Sequence, residues 1–457
     1  MEYLFKPLRA LAIIVFVTIF IGCSNELNSQ LDTLTMGTSE DTIDGYKAID
    51  VASSFFAERA SKEHRIVSRV DTKAVPLVDG DGTTFGYLIN QAGEGWVIVS
   101  ATQEFYPILA YSDYTDVEVN SEDLTDKLYI WTEEIAEGIK NRGKLDSLSK
   151  SNIEKEWQKY CPQSFSTQQT GIPGGNSPEA VACRNRLKIL NETYYNEGWS
   201  FQTLSSVSDV ALPQRVYDVA DQYGSPYTYT IIGIKDVSTY INVQPLISTE
   251  WEQSNGYNAM CPDGAVAGCV PIAMAQIMNF HKYPNLFDWN GMNDHMATTA
   301  SQYLIWQIGK KIDVDYGDEE TSASIEDALN GFRGYGYNAI LKNHDNLDVI
   351  RELSTHGRPI YMRGKRNLIK GHAWVCDGVI RNIAEYEYYV EYLVNNSYNN
   401  LGETLIENPG GAGGISYTRF HYNWGWGRDF IGWYIGVNPT DDRNYYIDRQ
   451  NIYVSVP

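Results

Sequence analysis

Residues 268–284, GCVPIAMAQIMNFHKYP, contain a cysteine between a glycine and an early proline, followed by an apolar run. Proline fits the first turn of a helix, where its missing N–H is harmless, and Pro284 should end the helix. Cys269 is therefore predicted at the N-terminus of a buried helix, where the dipole and free N–H groups favour the nucleophilic thiolate. A lone cysteine here is also compatible with a small buried hydrophobe. The helical spacing is carried by Val270, Ala273, Met274 and Ile277.

A cysteine nucleophile needs a base, and residues 370–378, KGHAWVCDG, offer a histidine on a predicted strand. The strand is entered through a glycine and left by an Asp-Gly turn. His372 is the predicted general base, and Gly371 would let a substrate backbone come close because it lacks a side chain. Cys376 lies in the apolar part of this strand and is predicted to be core.

An aromatic motif, HYNWGWG, occupies residues 421–427. We expect the side-chain oxygen of Asn423 to accept a hydrogen bond from His372 and to hold its tautomer and orientation. Trp424 and Trp426 would shield that bond from water. The same run is equally typical of an aromatic β-turn in a protein core.

Together these motifs resemble the streptopain family of papain-like bacterial cysteine peptidases. The matching pieces follow one another in order over about residues 243–457, and they include Asp315-Tyr316-Gly317 between the cysteine and histidine motifs. An N-terminal region resembles the inhibitory propeptide of the family, with Phe55-Phe56 on a helix and the strand-like runs GWVIVS at 95–100 and ILAYS at 108–112. The resemblance implies an α+β fold: a papain-like domain with a helical part and an antiparallel β part, preceded by a small α+β propeptide domain.

The resemblance also implies roles for particular residues. Cys269 matches the nucleophile and His372 the general base, while Gln253 and the Cys269 N–H would form the oxyanion hole. Asn423 and Trp424 match the motif that supports the histidine.

Other positions are implied to bind substrate. Gly371 and Trp426 match substrate-contacting positions, and either Ser322 or Ser324 stands for another. The implied substrates are proteins or peptides, with an apolar residue favoured at the second position before the cut. No cofactor is implied, and the His and Cys spacing does not suggest a metal site.

The N-terminus carries an export signal. Lys6 and Arg9 precede an apolar run that is too short for a convincing membrane span. The run ends in Ile21-Gly22-Cys23, which resembles a bacterial lipobox, so Cys23 is the predicted lipidation site and anchors the exported protein to a membrane. An ordinary secretory peptide cut nearby is the alternative.

Length and composition bound the remaining possibilities. A chain of 457 residues predicts two or three domains. A net charge of −22 argues against nucleic acid as a partner. The predicted organisation has five parts. They are a signal peptide (1–22), a tether (23–43), an inhibitory propeptide domain (44–145), an insertion or linker of unclear structure (146–242) and the catalytic domain (243–457).

Two departures from the family leave questions open. His372 and Asn423 are 423 − 372 = 51 positions apart, which is longer than expected, and the added stretch holds Tyr386–Tyr392 and a glycine-rich loop at 410–414. The region 146–242 has no recognised counterpart, and Cys161 and Cys183 within it either pair or remain thiols.

Two other functions remain possible from the sequence. A catalytically silent surface lipoprotein would use the fold for binding, although it would not need Cys269, His372, Gln253 and Asn423 together. Acyl transfer would use the same Cys–His dyad.

Overall fold

The computed structural model describes residues 41–62, 73–145, 147–160, 173–207, 212, 214–316, 321–365, 371–384, 386–394, 397–399, 404–405, 414–436 and 449–457. The helices within these residues are α1 (Gly45–Lys62), α2 (Ser121–Lys127), α3 (Tyr129–Lys140), α4 (Ser147–Tyr160), α5 (Pro178–Thr193), α6 (Gln214–Gln222), α7 (Cys269–His281), α8 (Thr299–Lys311), α9 (Ile325–Gly334) and α10 (Asn346–Arg351).

The strands fall into an N-terminal group and a larger later group. The first are β1 (Ala74–Val78), β2 (Thr84–Gln91), β3 (Gly95–Ser100), β4 (Ile108–Ser112), β5 (Trp199–Thr203), β6 (Ile231–Asp236) and β7 (Thr239–Val243). The later ones are β8 (Asp315–Tyr316), β9 (Thr321–Ser322), β10 (Asn338–Asn343), β11 (Ile360–Lys365), β12 (Gly371–Ala384), β13 (Tyr386–Val394), β14 (Ser397–Asn399), β15 (Thr404–Leu405), β16 (Gly414–Asn423), β17 (Gly432–Ile435) and β18 (Gln450–Ser455).

One antiparallel sheet runs through most of the chain, in the order β1-β2-β3-β4-β17-β16-β12-β11-β18-β10, with β7 also paired to β12. Strands β1–β4 join the C-terminal part of the sheet at the β4–β17 pair, where Gly432 lies opposite Ser112. A Cβ at Gly432 would lie 2.2 Å from the Tyr111 carbonyl oxygen, so the close approach requires glycine here. We call residues 45–160 the N-terminal domain and the sheet from β17 to β10, with α7–α10, the C-terminal domain.

Both faces of this sheet are covered. The run GWVIVS of β3 is wholly buried, as expected for a strand packed on both sides. On one face, α1 and α4 cover Val97 and Val99. On the other, Ile98 lies in a core shared between the two domains, which also contains Trp131 of α3, Trp374, Tyr422, Trp424 and Tyr434. A separate core lies between α7, α8 and α9 and the C-terminal strands.

The two departures from the family form one structure. Strand β13, from the added stretch, pairs with β6 of the region 146–242, in a five-stranded sheet that also holds β5, β14 and β15. Arg186 of α5 donates through Nε to Glu391 of β13 at 2.7 Å, and Glu391 is almost fully buried. This accessory unit (α5, α6, β5, β6 and β13–β15) therefore joins two separated segments of sequence.

The predicted α+β class, with a helical part, an antiparallel β part and a small α+β domain before them, is confirmed. The structure adds α4 to the N-terminal domain, because Ile153 and Trp157 lie in the core under α1 and the Trp157 Nε1 donates to the Phe105 carbonyl at 2.7 Å. Cys183 is a buried free thiol. Cys161, the glycine-rich loop at 410–413 and the export signal with Cys23 lie outside the described residues.

Candidate active site

Cys269 is the first residue of α7, as predicted. Gly268 caps the helix with a φ of 88°, which favours glycine, and the residues from Val270 to Asn279 are all buried. Lys282 ends the helix in the left-handed region, before Pro284. The helix packs against β12, the strand that carries His372.

The environment of the Cys269 thiol works in two directions. Burial raises its pKa above the ordinary value of 9.0, whereas the N–H of Ala373, the Arg363 charge and the N–H groups of Cys269 and Val270 oppose the increase. The prediction that the helix start lowers this pKa is wrong for this conformation, because desolvation outweighs the donors. At neutral pH the thiol therefore keeps its proton.

His372 is buried and is held by the aromatic motif. Its Nε2 donates to the Trp424 carbonyl oxygen at 2.8 Å. The imidazole lies parallel to the indole of Trp426, with ring centroids 5.1 Å apart and an interplanar angle of 6°, and it also stacks with Trp374 and Trp424. Burial lowers the pKa of His372 to about 4. The imidazole is thus neutral at pH 7 and one of its nitrogens is committed to a backbone carbonyl.

Asn423 does not contact His372 in this structure. Its Nδ2 donates to the Thr249 carbonyl at 2.6 Å, and its Oδ1 accepts from Gln276 Nε2 at 3.3 Å and from the Gly425 N–H at 3.1 Å. The predicted His372–Asn423 hydrogen bond is therefore not formed here, because other groups occupy both amide atoms. Asn423 instead connects the aromatic motif to α7.

Gln253 is only 8% exposed, and its Nε2 is buried without a hydrogen-bond partner. The backbone carbonyl of Gln253 accepts a hydrogen bond of 2.8 Å from the N–H of Ala267, which lies two residues before Cys269. The neighbouring Glu252 forms a β-bridge with Trp426. A buried donor without a partner is costly unless something else binds it. The free Nε2 of Gln253 can donate a hydrogen bond to an oxygen that develops negative charge.

The predicted substrate-contacting residues are partly accessible. Gly371 is exposed at the start of β12, and Trp426 lies beside His372. Ser322 is exposed on β9, which contacts α7. Ser324 instead caps α9, since its hydroxyl donates to Asp327 Oδ2 at 2.6 Å and accepts from the Asp327 N–H at 3.0 Å. Of the two serines, Ser322 is the one left free of a helix cap.

The N-terminal domain contacts the residues that follow the aromatic motif. The Trp96 Nε1 donates to the Asp429 carbonyl at 2.9 Å, and Arg428 forms an ion pair with Asp116. Trp131 packs edge-on against Tyr434 at 5.1 Å. Tyr434 in turn contacts Trp424, the residue whose carbonyl holds His372. A continuous series of aromatic contacts thus leads from α3 to the histidine.

Sequence reasoning missed a second histidine between the domains. The buried His421 has Nδ1 2.6 Å from Asp377 of β12 and Nε2 2.9 Å from Asp113, which follows β4. Burial favours the neutral ring, but the two carboxylates outweigh it and raise the pKa of His421 to about 10. Asp113, Asp377 and His421 lie far apart in the sequence and form no local motif. No sequence pattern could therefore predict this group, which only the folded sheet brings together.

Family models match two parts of the chain. The Spi protease inhibitor model matches residues 40–139, most of which belong to the N-terminal domain, and the Peptidase C10 family model matches residues 251–287, which contain Gln253 and α7.

Curated proteins and solved structures give further likenesses. Streptopain from Streptococcus pyogenes is 24% identical over 189 residues, covering 28% of this chain and 47% of streptopain. The thiol protease/hemagglutinin PrtT of Porphyromonas gingivalis is 25% identical, covering 39% of this chain and 22% of PrtT. The chain spans about half the length of the streptopain relatives it matches.

Two structures from Prevotella intermedia are also similar. A prointerpain A fragment covers 84% of this chain and 98% of its own length, with 17% identity and a TM-score of 0.45. Active interpain A covers 46% and 94%, with 22% identity and a TM-score of 0.33. The family models and the curated relatives confirm the predicted likeness to the streptopain family and its inhibitory domain.

Proposed function

We propose that this streptopain-like chain is the zymogen of a cysteine endopeptidase that hydrolyses peptide bonds through Cys269 and His372. The supporting observation is the position of the Cys269 thiol, against the first N–H groups of α7 and the N–H of Ala373, the residue that follows His372. The thiol therefore lies next to the backbone of the strand that carries His372.

In the active form the aromatic motif adjusts so that the imidazole meets the thiol, and the unprotonated Nδ1 of His372 takes the proton of Cys269. The thiolate attacks the substrate carbonyl, and the oxyanion receives hydrogen bonds from the Cys269 N–H and the Gln253 Nε2. His372 then protonates the leaving amine, and water, deprotonated by the same imidazole, resolves the thioester. The free Gln253 donor supports this role, since the oxyanion would supply its missing partner.

The N-terminal domain acts as the inhibitor in this proposal. Its Trp96 and Trp131 pack against Tyr434, in the same core as Trp424. This packing keeps the carbonyl of Trp424 in place as the acceptor for His372. Removing this domain would expose a large apolar surface and release the aromatic motif to adjust. The domain boundary would then lie after Tyr160, because α4 packs with α1.

Export accompanies this function, with Cys23 as the lipidated residue. The support is the basic residues, the short apolar run and the lipobox-like residues that precede Cys23. Among the residues that the structure describes, no helix is both long and apolar enough to cross a membrane. Incorporation of labelled fatty acid that is lost in Cys23→Ala would support the anchor, and unlabelled wild type would contradict it.

The enzymatic proposal is tested with casein after activation of the full chain. Cys269→Ala should abolish cleavage, because no other described thiol begins a helix beside β12. Cys183→Ala, a buried thiol in the accessory unit, is the matched control and should retain activity. Equal cleavage by Cys269→Ala and wild type would contradict the assignment.

A further inference from the structure

Arg363 occupies the cleft beside the proposed nucleophile. In the β11–β12 pair Arg363 lies opposite Ala373, and residues directly opposite in an antiparallel pair project from the same face. That face packs under α7, since Ala373 lies in the core there and its N–H points at the Cys269 thiol. The Arg363 charge is close enough to influence that thiol.

One end of the Arg363 guanidinium lacks a hydrogen-bond partner. Its Nη1 is buried and makes no hydrogen bond. By contrast, Arg186 and Arg358, which are also only partly exposed, each donate to a carboxylate, at 2.7 and 2.6 Å. Arg363 nevertheless keeps some exposure, so a ligand in the cleft could approach it.

The guanidinium also borders the backbone on which a substrate would lie. A Cβ placed on the exposed Gly371 would lie 3.6 Å from Arg363 Nη2 and 3.3 Å from Lys365 Cγ. Gly371 directly precedes His372, so both cations flank the proposed catalytic strand. Arginine presents a planar pair of donors that fits a carboxylate in a bidentate manner.

The local sequence is basic in an acidic chain. Residues 363–370, RGKRNLIK, hold four cations and no acidic residue, whereas the whole chain carries a net charge of −22. Of these cations, Arg363 and Lys365 lie on β11 in the described part of the chain, and a local excess of positive charge favours anionic ligands.

We propose that Arg363 forms an anionic subsite that binds the carboxylate of an Asp or Glu side chain of the substrate near the scissile bond. This inference rests on the proposed peptidase function and specifies its substrate class. It departs from the apolar preference that the family resemblance implies, because an apolar side chain would leave the buried Nη1 unpaired.

The test uses the activated full chain and fluorogenic peptides in which Glu, Gln or Leu is placed in turn at each position around the cut. At one position Glu should exceed Gln in kcat/KM by about 10- to 100-fold, the range for a charge-assisted hydrogen bond to a partly desolvated partner. Arg363→Gln should reduce that ratio to about one while the Gln peptide is still cleaved. Arg363→Lys should retain part of the preference.

Lys342→Gln is the matched control, since it removes one positive charge from β10, where Lys342 pairs with Asp348. It should leave the Glu-to-Gln ratio unchanged. Cleavage of Gln and Leu peptides with no preference for Glu at any position, or a preference that survives Arg363→Gln, would overturn the subsite. If Arg363→Gln does not fold, Lys342→Gln still provides a test. Loss of the Glu-to-Gln ratio of the wild type in Lys342→Gln would overturn the subsite, because the preference would then depend on a distant charge. Absence of cleavage of every peptide would instead contradict the peptidase proposal.

Discussion

The two halves of the proposed active site differ in how ready they are for reaction. On the cysteine side, α7 begins at Cys269, several N–H groups point at the thiol, and the Gln253 Nε2 is free. On the histidine side, His372 is bonded to the Trp424 carbonyl and stacked among indoles. The cysteine half belongs to the core under α7, whereas the histidine half is continuous with the core shared with the N-terminal domain.

This difference places latency in the histidine. The thiol pKa is raised and the imidazole pKa is lowered to about 4, so neither group carries charge at neutral pH. An ion pair between them would require both shifts to reverse together, since each charge stabilises the other. Removal of the N-terminal domain need only free the aromatic motif to produce that change.

Gln253→Ala, on the cysteine side, should reduce peptide hydrolysis more than the substitutions on the histidine side that follow. Removing one oxyanion donor costs about 10²- to 10³-fold in kcat, and the cysteine half is otherwise unchanged. The assay is peptide hydrolysis by the activated chain. Gln253→Glu, which has the same shape but lacks the donor, should be impaired to a similar degree. A fully active Gln253→Ala would mean that another group holds the oxyanion.

Asn423→Ala should lower kcat/KM by about 10- to 1,000-fold, or about 1.4–4 kcal/mol at 1.36 kcal/mol per decade. We expect the loss to have two sources. The substitution removes the amide that would orient the imidazole in the active form, and it leaves Thr249, Gln276 and Gly425 with unpaired buried groups. Unpaired groups of this kind cost about 1–3 kcal/mol each.

Thermal unfolding of the latent chain separates these sources. A lower Tm with full activity after processing would restrict Asn423 to a structural role. A large loss of activity with an unchanged Tm would favour orientation of His372.

His421→Asn should have a smaller and pH-dependent effect on the stability of the latent chain. Because the pKa of His421 is raised from 6.5 to about 10, its stabilising contribution is full below about pH 6.5 and is lost as the pH rises through about 10. Denaturant unfolding at pH 6 and pH 10.5 measures the difference between wild type and variant.

Asp113→Asn is the companion variant, since it removes only the partner from the N-terminal domain. It should show the same direction of pH dependence. A destabilisation by His421→Asn that is equal at both pH values would mean that the ring acts through packing, for example against Trp433, and not through its charge.

The elements that sequence patterns predicted best are those with local causes. The start and end of α7 follow from Gly268, Pro271 and Pro284, and the buried run of β3 follows from its unbroken apolar residues. The motifs that contain Cys269, His372 and Asn423 were also predicted to meet, and contacts join their segments in the fold. The catalytic roles of these residues remain predictions.

What the sequence could not predict depends on distant pairing. The carbonyl of Trp424 as the acceptor for His372, the pairing of β6 with β13, and the Asp113–His421–Asp377 group all arise from strands far apart in the chain. The thiol pKa was predicted in the wrong direction for this conformation, because a helix terminus is visible in sequence whereas desolvation of the thiol is not.

The pH dependence of Cys269 alkylation, before and after removal of the N-terminal domain, measures whether latency lies in the position of His372. Iodoacetamide labelling is followed on the peptide that contains Cys269, with the buried Cys261 as an internal reference. In the latent chain the labelling rate should rise only above pH 9, as the raised thiol pKa requires. After processing, the rate should be high at neutral pH, and His372→Ala should abolish that gain. An identical pH profile before and after processing would contradict the claim that latency resides in the position of His372.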